Sequence, residues 1–299
     1  MNNEPTAFKA GMIAIVGAPN AGKSTLLNRL LGEKLSITSK KPQTTRNRIL
    51  GVCHRPGAQL VFFDTPGVHR TEKLFNRRIV DVAFSSVADA DLVLLIVDAA
   101  KPDPAAETYM VQKLASQSKP VILALNKTDL AGRDHILATI DIWAGRYPFD
   151  AVVPISAKQG LQTDVLLRVM EERLPEGFPY FPEDAFTDVP TRFIVAELIR
   201  EKVFRMTGEE IPYASAVTID QFDESDGKKT VRIHATIHVE RDSQKGIVIG
   251  KGGQKLRQIG EASRKDIEAL LDRRVFLKLF IRVQKNWSRD TRSLRKFGY

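Results

Sequence analysis

The octapeptide GAPNAGKS, Gly17 to Ser24, constrains this chain more than any other stretch. It lies between the apolar run MIAIVG (12–17) and a segment with helical character from 22 to 31. Backbone N–H groups can wrap a phosphate only where glycines leave the approach open, and a helix N-terminus adds a favourable dipole. The pattern therefore predicts a buried strand, a tight turn and a helix in succession, a unit of the α/β sheets. In such a loop Lys23 reaches the β- and γ-phosphates and the Ser24 hydroxyl ligates Mg2+. A plain glycine-rich strand-to-helix turn is the bland alternative.

The next 150 residues repeat that alternation. QLVFFD (59–64), DLVLLIVD (91–98), VILALN (121–126) and AVVPIS (151–156) read, like 12–17, as strands buried on both faces. Such continuous apolar runs belong to parallel sheets with helices on both sides. Helices fit at 22–31, 72–87, 104–118, 133–145 and 160–173. The runs are too short to span a bilayer, and the N-terminus lacks a secretory pattern. One cysteine, Cys53, excludes an internal disulfide and fits a reducing cytoplasm. The five histidines are scattered without metal-ligand spacing, which argues against zinc.

Three further motifs fall at strand ends. DTPG contributes Asp64, Thr65, Pro66 and Gly67, with Val68 next. A carboxylate there can hold Mg2+ through water, and the Gly67 N–H can bond a γ-phosphate, a bond lost on hydrolysis. NKTD contributes Asn126, Lys127, Thr128 and Asp129; guanine presents two adjacent donors that one carboxylate, Asp129, can accept, which selects GTP over ATP. ISAK ends with Ser156, Ala157 and Lys158, and the Ala157 N–H is placed to donate to guanine O6. Singly these motifs are weak. In this order they specify a GTPase, with the nucleotide held by Gly17, Ala18, Pro19, Asn20, Ala21, Gly22, Lys23, Ser24 and Thr25.

Beyond 173 the chain changes character. LPEGFPYFPEDAFTDVP (174–190) is rich in helix breakers and reads as a linker. TRFIVAELIREKVF then begins a helix on which Arg200 and Lys202 read as an exposed face. VRIHATIHVE and VFLKLFIRVQ alternate apolar and polar residues, as half-buried antiparallel strands do, with YASAVTIDQF a third. A last helix is expected from Trp287; Trp287 and Phe297 read as core aromatics. The net charge of +9 is distributed unevenly: +4 over 1–180, −7 over 181–226 and +12 over 227–299. The basic end points to an anionic partner, nucleic acid or membrane headgroups.

That basic segment holds a second glycine loop, VIGKGGQKLRQIG (248–260). It lacks the GK[ST] ending, so it places no hydroxyl for Mg2+ and is not a second phosphate loop. A GXXG turn between a strand and a helix is the arrangement of a KH RNA-binding domain. Ile249, Gly250, Lys251, Gly252, Gly253, Lys255 and Arg257 are its candidate RNA contacts, with Ile247, Ile249 and Ile259 a candidate apolar floor. Two strands before the loop suit the type II arrangement. A tight turn without RNA is the alternative.

The chain resembles the Era family of GTPases over nearly its whole length. The resemblance rests on GAPNAGKST, KPQTTRNRI (41–49), DTPG, NKTD, ISAK, the FPEDAFTD linker, the second glycine loop and the terminal LRKFGY. It implies domains at 1–175 and 191–299 joined by 176–190. It also implies a first switch at Gln43, Thr44, Thr45, Arg46 and Asn47. Thr45, ahead of Thr44, would join Ser24 and Asp64 on Mg2+, though the residues themselves do not choose between the threonines. Lys23, Thr45, Asp64 and Gly67 would carry catalysis. Asn20 is linked in related GTPases to a potassium ion; a solvent-facing asparagine is the equal alternative. Val68 stands where Ras-type enzymes have a water-orienting glutamine, so slow intrinsic turnover is expected, on the order of 10⁻⁴ to 10⁻² s⁻¹. The partners implied are the 3′ end of 16S ribosomal RNA and the 30S subunit. The chain is expected to be a cytoplasmic monomer with peripheral membrane contact. A constitutive RNA-binding protein and a tRNA-modification GTPase remain alternatives.

Overall fold

A computed structural model describes residues 7–37, 49–65, 67, 84–208, 211, 215–224, 230–287, 290 and 297. The first switch (43–47), Pro66 and Val68 lie outside these residues. So do most of the helix expected at 72–87, of which 84–87 are helical, and the helix expected after Trp287. The chain divides into two compact units, the first drawn mostly from residues up to Asp188 and the second mostly from Val189 onward, with Ile37 grouped in the second.

In the first unit six strands form one sheet in the order β2-β3-β1-β4-β5-β6. They are β1 (Lys9–Gly17), β2 (Ile49–Arg55), β3 (Ala58–Asp64), β4 (Leu92–Asp98), β5 (Val121–Asn126) and β6 (Ala151–Pro154). β1, β3, β4, β5 and β6 run parallel, as their apolar runs require, and β4 is buried along almost its whole length. β2 is an antiparallel edge that the periodicity did not reveal. Gly51 and His54 interrupt its pattern, and the two-residue turn at Pro56-Gly57 folds it back on β3 as a hairpin. Helices α1 (Lys23–Leu31), α2 (Pro104–Leu114), α3 (Arg133–Ala144) and α4 (Thr163–Arg173) connect the strands. α2 starts where Asp103 accepts from the Ala106 N–H at 3.1 Å and Pro104 occupies the first turn. It ends at Leu114, four residues before the expected 118.

The linker-like stretch is tied down along β2 and β3. Gln59, buried, accepts from the N–H groups of Tyr180 (2.7 Å) and Phe181 (3.0 Å) and donates to Phe181 O (2.8 Å). Thr187 Oγ1 donates to Leu50 O at 2.5 Å, and Val52 N–H to Phe186 O at 2.9 Å. Breaker-rich composition removed regular structure here without removing order.

The second unit has a three-stranded sheet, β7-β8-β9, comprising β7 (Ala216–Asp223), β8 (Thr230–Val239) and β9 (Arg274–Val283). β7 pairs antiparallel with β8, with a bulge between Ile219 and Gln221. β8 and β9 are parallel, correcting the all-antiparallel expectation. Alternation reports a one-sided strand but not its direction. Two helices fill the crossover, α6 (Asp242–Ile249) and α7 (Gln254–Leu271), after α5 (Thr191–Met206). Val231, Ile233, Ala235, Ile237 and Val239 are buried as the pattern predicts. Trp287 and Phe297 are buried together, their rings edge-to-face at 5.1 Å. Arg200 and Lys202 are not an exposed face: both are buried. Arg200 makes a two-pronged pair with Glu197 (2.7 and 2.6 Å), and Lys202 pairs with Asp266 of α7. Burying charge without such partners would be costly, so the cluster is a packing device of this helix.

Candidate functional site

The phosphate loop leaves β1 at Gly17 and enters α1 at Lys23. Gly22 opens the helix with φ 108, and no side chain caps it; a helix start of this kind suits an anion. A Cβ on Gly22 would lie 2.2 Å from Asn126 Nδ2, and one on Gly17 2.5 Å from Ile96 O. Lys23 is buried and folds over its own loop, donating to Gly17 O (3.0 Å) and Ala18 O (2.9 Å). Burial lowers its pKa to about 8, against the opposing pull of Asp64. Ser24 Oγ donates to Asp64 Oδ2 at 2.9 Å. A hydroxyl and a carboxylate oxygen at a helix start are hard ligands that suit Mg2+ beside phosphates.

The other motifs close around this loop, and several of their residues work inside the protein. Asn126, buried, donates through Nδ2 to Ala21 O (2.8 Å) and accepts through Oδ1 from the Ala157 N–H (2.9 Å). It staples the phosphate loop to ISAK. The Ala157 N–H expected to meet guanine O6 is thus already engaged internally. Lys127 has φ 64 and pairs with Asp98 Oδ2 at 2.5 Å. Thr128 Oγ1 donates to Ile155 O at 2.9 Å, and Thr65 Oγ1 to Ile15 O at 2.6 Å. Asp129 is exposed, and its carboxylate accepts from Ser156 Oγ at 2.6 Å. Arg29 donates to Ala157 O (3.3 Å) and Lys158 O (2.8 Å), a support that no motif signalled. Gly67 approaches the loop so closely that a Cβ would lie 2.8 Å from Pro19 Cα. Asn20 is exposed with φ 65, a left-handed backbone that asparagine tolerates.

The second glycine loop joins α6 to α7, not a strand to a helix as expected; the pattern was one helix short. Gly250, Gly252 and Gly253 have φ 71, 58 and 79. A Cβ on Gly250 would meet Lys255 Cβ at 2.6 Å, whereas Gly252 and Gly253 face open space. α7 also starts without a side-chain cap. Lys251 and Arg257 are exposed, and Arg257 pairs with Glu261 at 3.0 Å. Of the candidate floor, Ile247 is exposed and Ile249 half-buried, but Ile259 is fully buried and belongs to the core.

A 50S ribosome-binding GTPase model matches residues 12–127 and a KH domain model residues 210–288. GTPase Era of Geobacter metallireducens is 52% identical over 299 residues, covering 100% of both chains. The chain belongs to the Era family of GTPases. GTPase Era of Geotalea daltonii is 50% identical over 98% of both chains. A crystal structure of Era with MgGDPNP and nucleotides 1506–1542 of 16S ribosomal RNA superposes with a TM-score of 0.93. Its identity is 41%, over 98% of this chain and 99% of that one. An Aquifex aeolicus Era variant bound to GDP.AlF4- matches equally well. Membership of the family makes this chain a GTPase with a phosphate-loop domain and a KH domain. Among the described residues no helix is long and apolar enough to cross a membrane, and no cluster of His, Cys, Asp and Glu could hold a metal.

Proposed function

We propose that this chain is a GTP-hydrolysing switch that binds the 3′ end of 16S ribosomal RNA through its KH domain during 30S subunit assembly. The observation that carries the reading is the full-length likeness to the Era–RNA complex, with the glycine loop in an open, left-handed conformation. The proposed domains are 1–175 for the GTPase and 191–299 for the KH domain, with 176–190 between them. Gly17–Thr25 and Lys23 grip the phosphates, and Asp129 selects guanine. Ser24, Asp64 and Thr45 hold Mg2+, which supplies charge neutralisation at the transferring phosphate when bound. For guanine O6, Asn126 yields the Ala157 N–H or shares it. RNA contacts are Ile249 to Gly253, Lys255 and Arg257; Arg257 first gives up an exposed ion pair of little strength.

The protein acts as a cytoplasmic monomer, and its membrane contact is peripheral. Potassium at Asn20 is a further part of the proposal: equal hydrolysis in K+ and Na+ would remove it. RNA affinity measured with GDP and with a non-hydrolysable GTP analogue tests the switch. The expected result is a clear difference between the two. Identical affinities would leave a constitutive RNA binder.

A further inference from the structure

The outer face of the KH sheet carries a stripe that the glycine loop does not use. β9 is an edge strand whose even positions alternate cation and aromatic: Arg274, Phe276, Lys278, Phe280 and Arg282, all exposed. Phe276 is 54% and Phe280 43% exposed. Lys278 Nζ lies 5.1 Å from the Phe280 ring centre, and His234 of β8 meets that ring edge-on at 6.1 Å. The register sets Arg232 of β8 beside Phe276. Among the described residues, no ion pair engages Arg232, Arg274, Lys278 or Arg282. The carboxylates of this sheet lie on β7 at the other edge: Asp220, held by the Thr218 and Thr236 hydroxyls, and Asp223, opposite Arg232.

Protection of a free edge explains the cations, because Lys and Arg deter pairing with another strand. It does not explain two exposed phenylalanines, which work against it. Rings between cations are how proteins hold unstacked bases and their phosphates. Alternate residues of a strand repeat at about 6.6 Å, so Lys278 sits midway between the rings. The opposite face of β9 backs α7, the helix that opens from the glycine loop: a Cβ on Gly260 would lie 3.6 Å from Leu279 Cδ1. A KH loop clamps about four nucleotides, whereas the RNA in the relative's complex runs from 1506 to 1542.

We propose that the β9 stripe is a second platform for single-stranded RNA, on which Phe276 and Phe280 stack bases flanking the segment held by the glycine loop. The proposal rests on the KH reading of that loop. The test uses the full chain at fixed salt and nested RNAs trimmed from either end of nucleotides 1506–1542 of 16S ribosomal RNA. Wild-type affinity is expected to rise in a step once added nucleotides reach the stripe. The F276A/F280A variant should lose that step, on the order of 30-fold or more, while binding the shortest RNA normally. Thiouridine placed in the flanking nucleotides should crosslink to the 274–282 strand. A double variant that follows wild type on every RNA overturns the proposal. So does one that weakens the shortest RNA equally, or one that loses only binding to phosphatidylglycerol vesicles. Gly253→Asp, run alongside, reports on the glycine loop separately: normal binding of the shortest RNA would instead overturn the KH reading.

Discussion

The two glycine loops look alike in sequence and differ in why they need glycine. At 17–22 crowding is added to backbone hand: Ile96 O and Asn126 Nδ2 occupy the volume where Cβ atoms would be, Gly22 is left-handed besides, and Gly67 packs on Pro19. At 252–253 there is nothing within 4 Å, and the cause is backbone hand alone. Each loop opens a helix without a side-chain cap and can present N–H groups to phosphate. The first does so inside a packed, stapled site suited to breaking a bond. The second does so at an exposed surface suited to holding an intact backbone.

The largest break in that comparison is Lys23→Ala. It should lower kcat/KM for GTP on the order of 10²-fold or more, by loss of a cation aimed at developing charge. RNA binding by the glycine loop should survive when measured without nucleotide, since Lys23 bonds only its own loop.

The buried lysine also predicts a pH effect of the nucleotide-free protein. Its folded pKa, about 8, lies below the ordinary value of 10.5, so between them the unfolded chain binds more protons. The cost of burying the ammonium is constant below about pH 8 and is relieved as pH rises towards 10.5. Stability of the first unit should gain up to about 3 kcal/mol from this group across that window. Denaturant titrations of wild type and Lys23→Met should diverge there; parallel curves would show that the lysine is not desolvated.

A paired substitution sharpens the contrast between crowding and hand. Gly252→Ala should cost about 1–2 kcal/mol, the left-handed penalty alone. Gly22→Ala should cost more, about 3 kcal/mol or above, because the same kind of strain is joined by a clash with a buried amide. Equal costs in chemical unfolding would mean that Asn126 moves aside freely. The smallest effect belongs to Glu261→Ala. It frees Arg257 from an exposed pair and should change stability by no more than about 0.5 kcal/mol, while strengthening RNA binding slightly in a filter assay.

The loop sequences, the five parallel strands and the one-sided pattern of β8 were legible because each is written in neighbouring residues. Continuous apolar runs mark doubly covered strands, and GK[ST] after a strand marks a phosphate loop. Less legible were β2, whose apolar pattern Gly51 and His54 interrupt although it forms a tight hairpin with β3, and the direction of β9, since a period of two is the same in either sense. Arg200 reads as a surface cation because the sequence, which shows its i,i+3 partner Glu197, does not show that their helix is buried.

Residue types alone pointed to the chemistry proposed for this protein: a lysine and a serine at a phosphate loop, a carboxylate suited to guanine, and a basic, glycine-rich turn suited to RNA. Only the tertiary structure decided which of those groups face a ligand and which hold the protein together. Asn126, Lys127, Thr128 and Ala157 all belong to nucleotide motifs, yet each bonds a neighbour far along the chain. Hydrogen-bonding groups buried by folding must find partners wherever the fold brings them. That requirement is set in three dimensions.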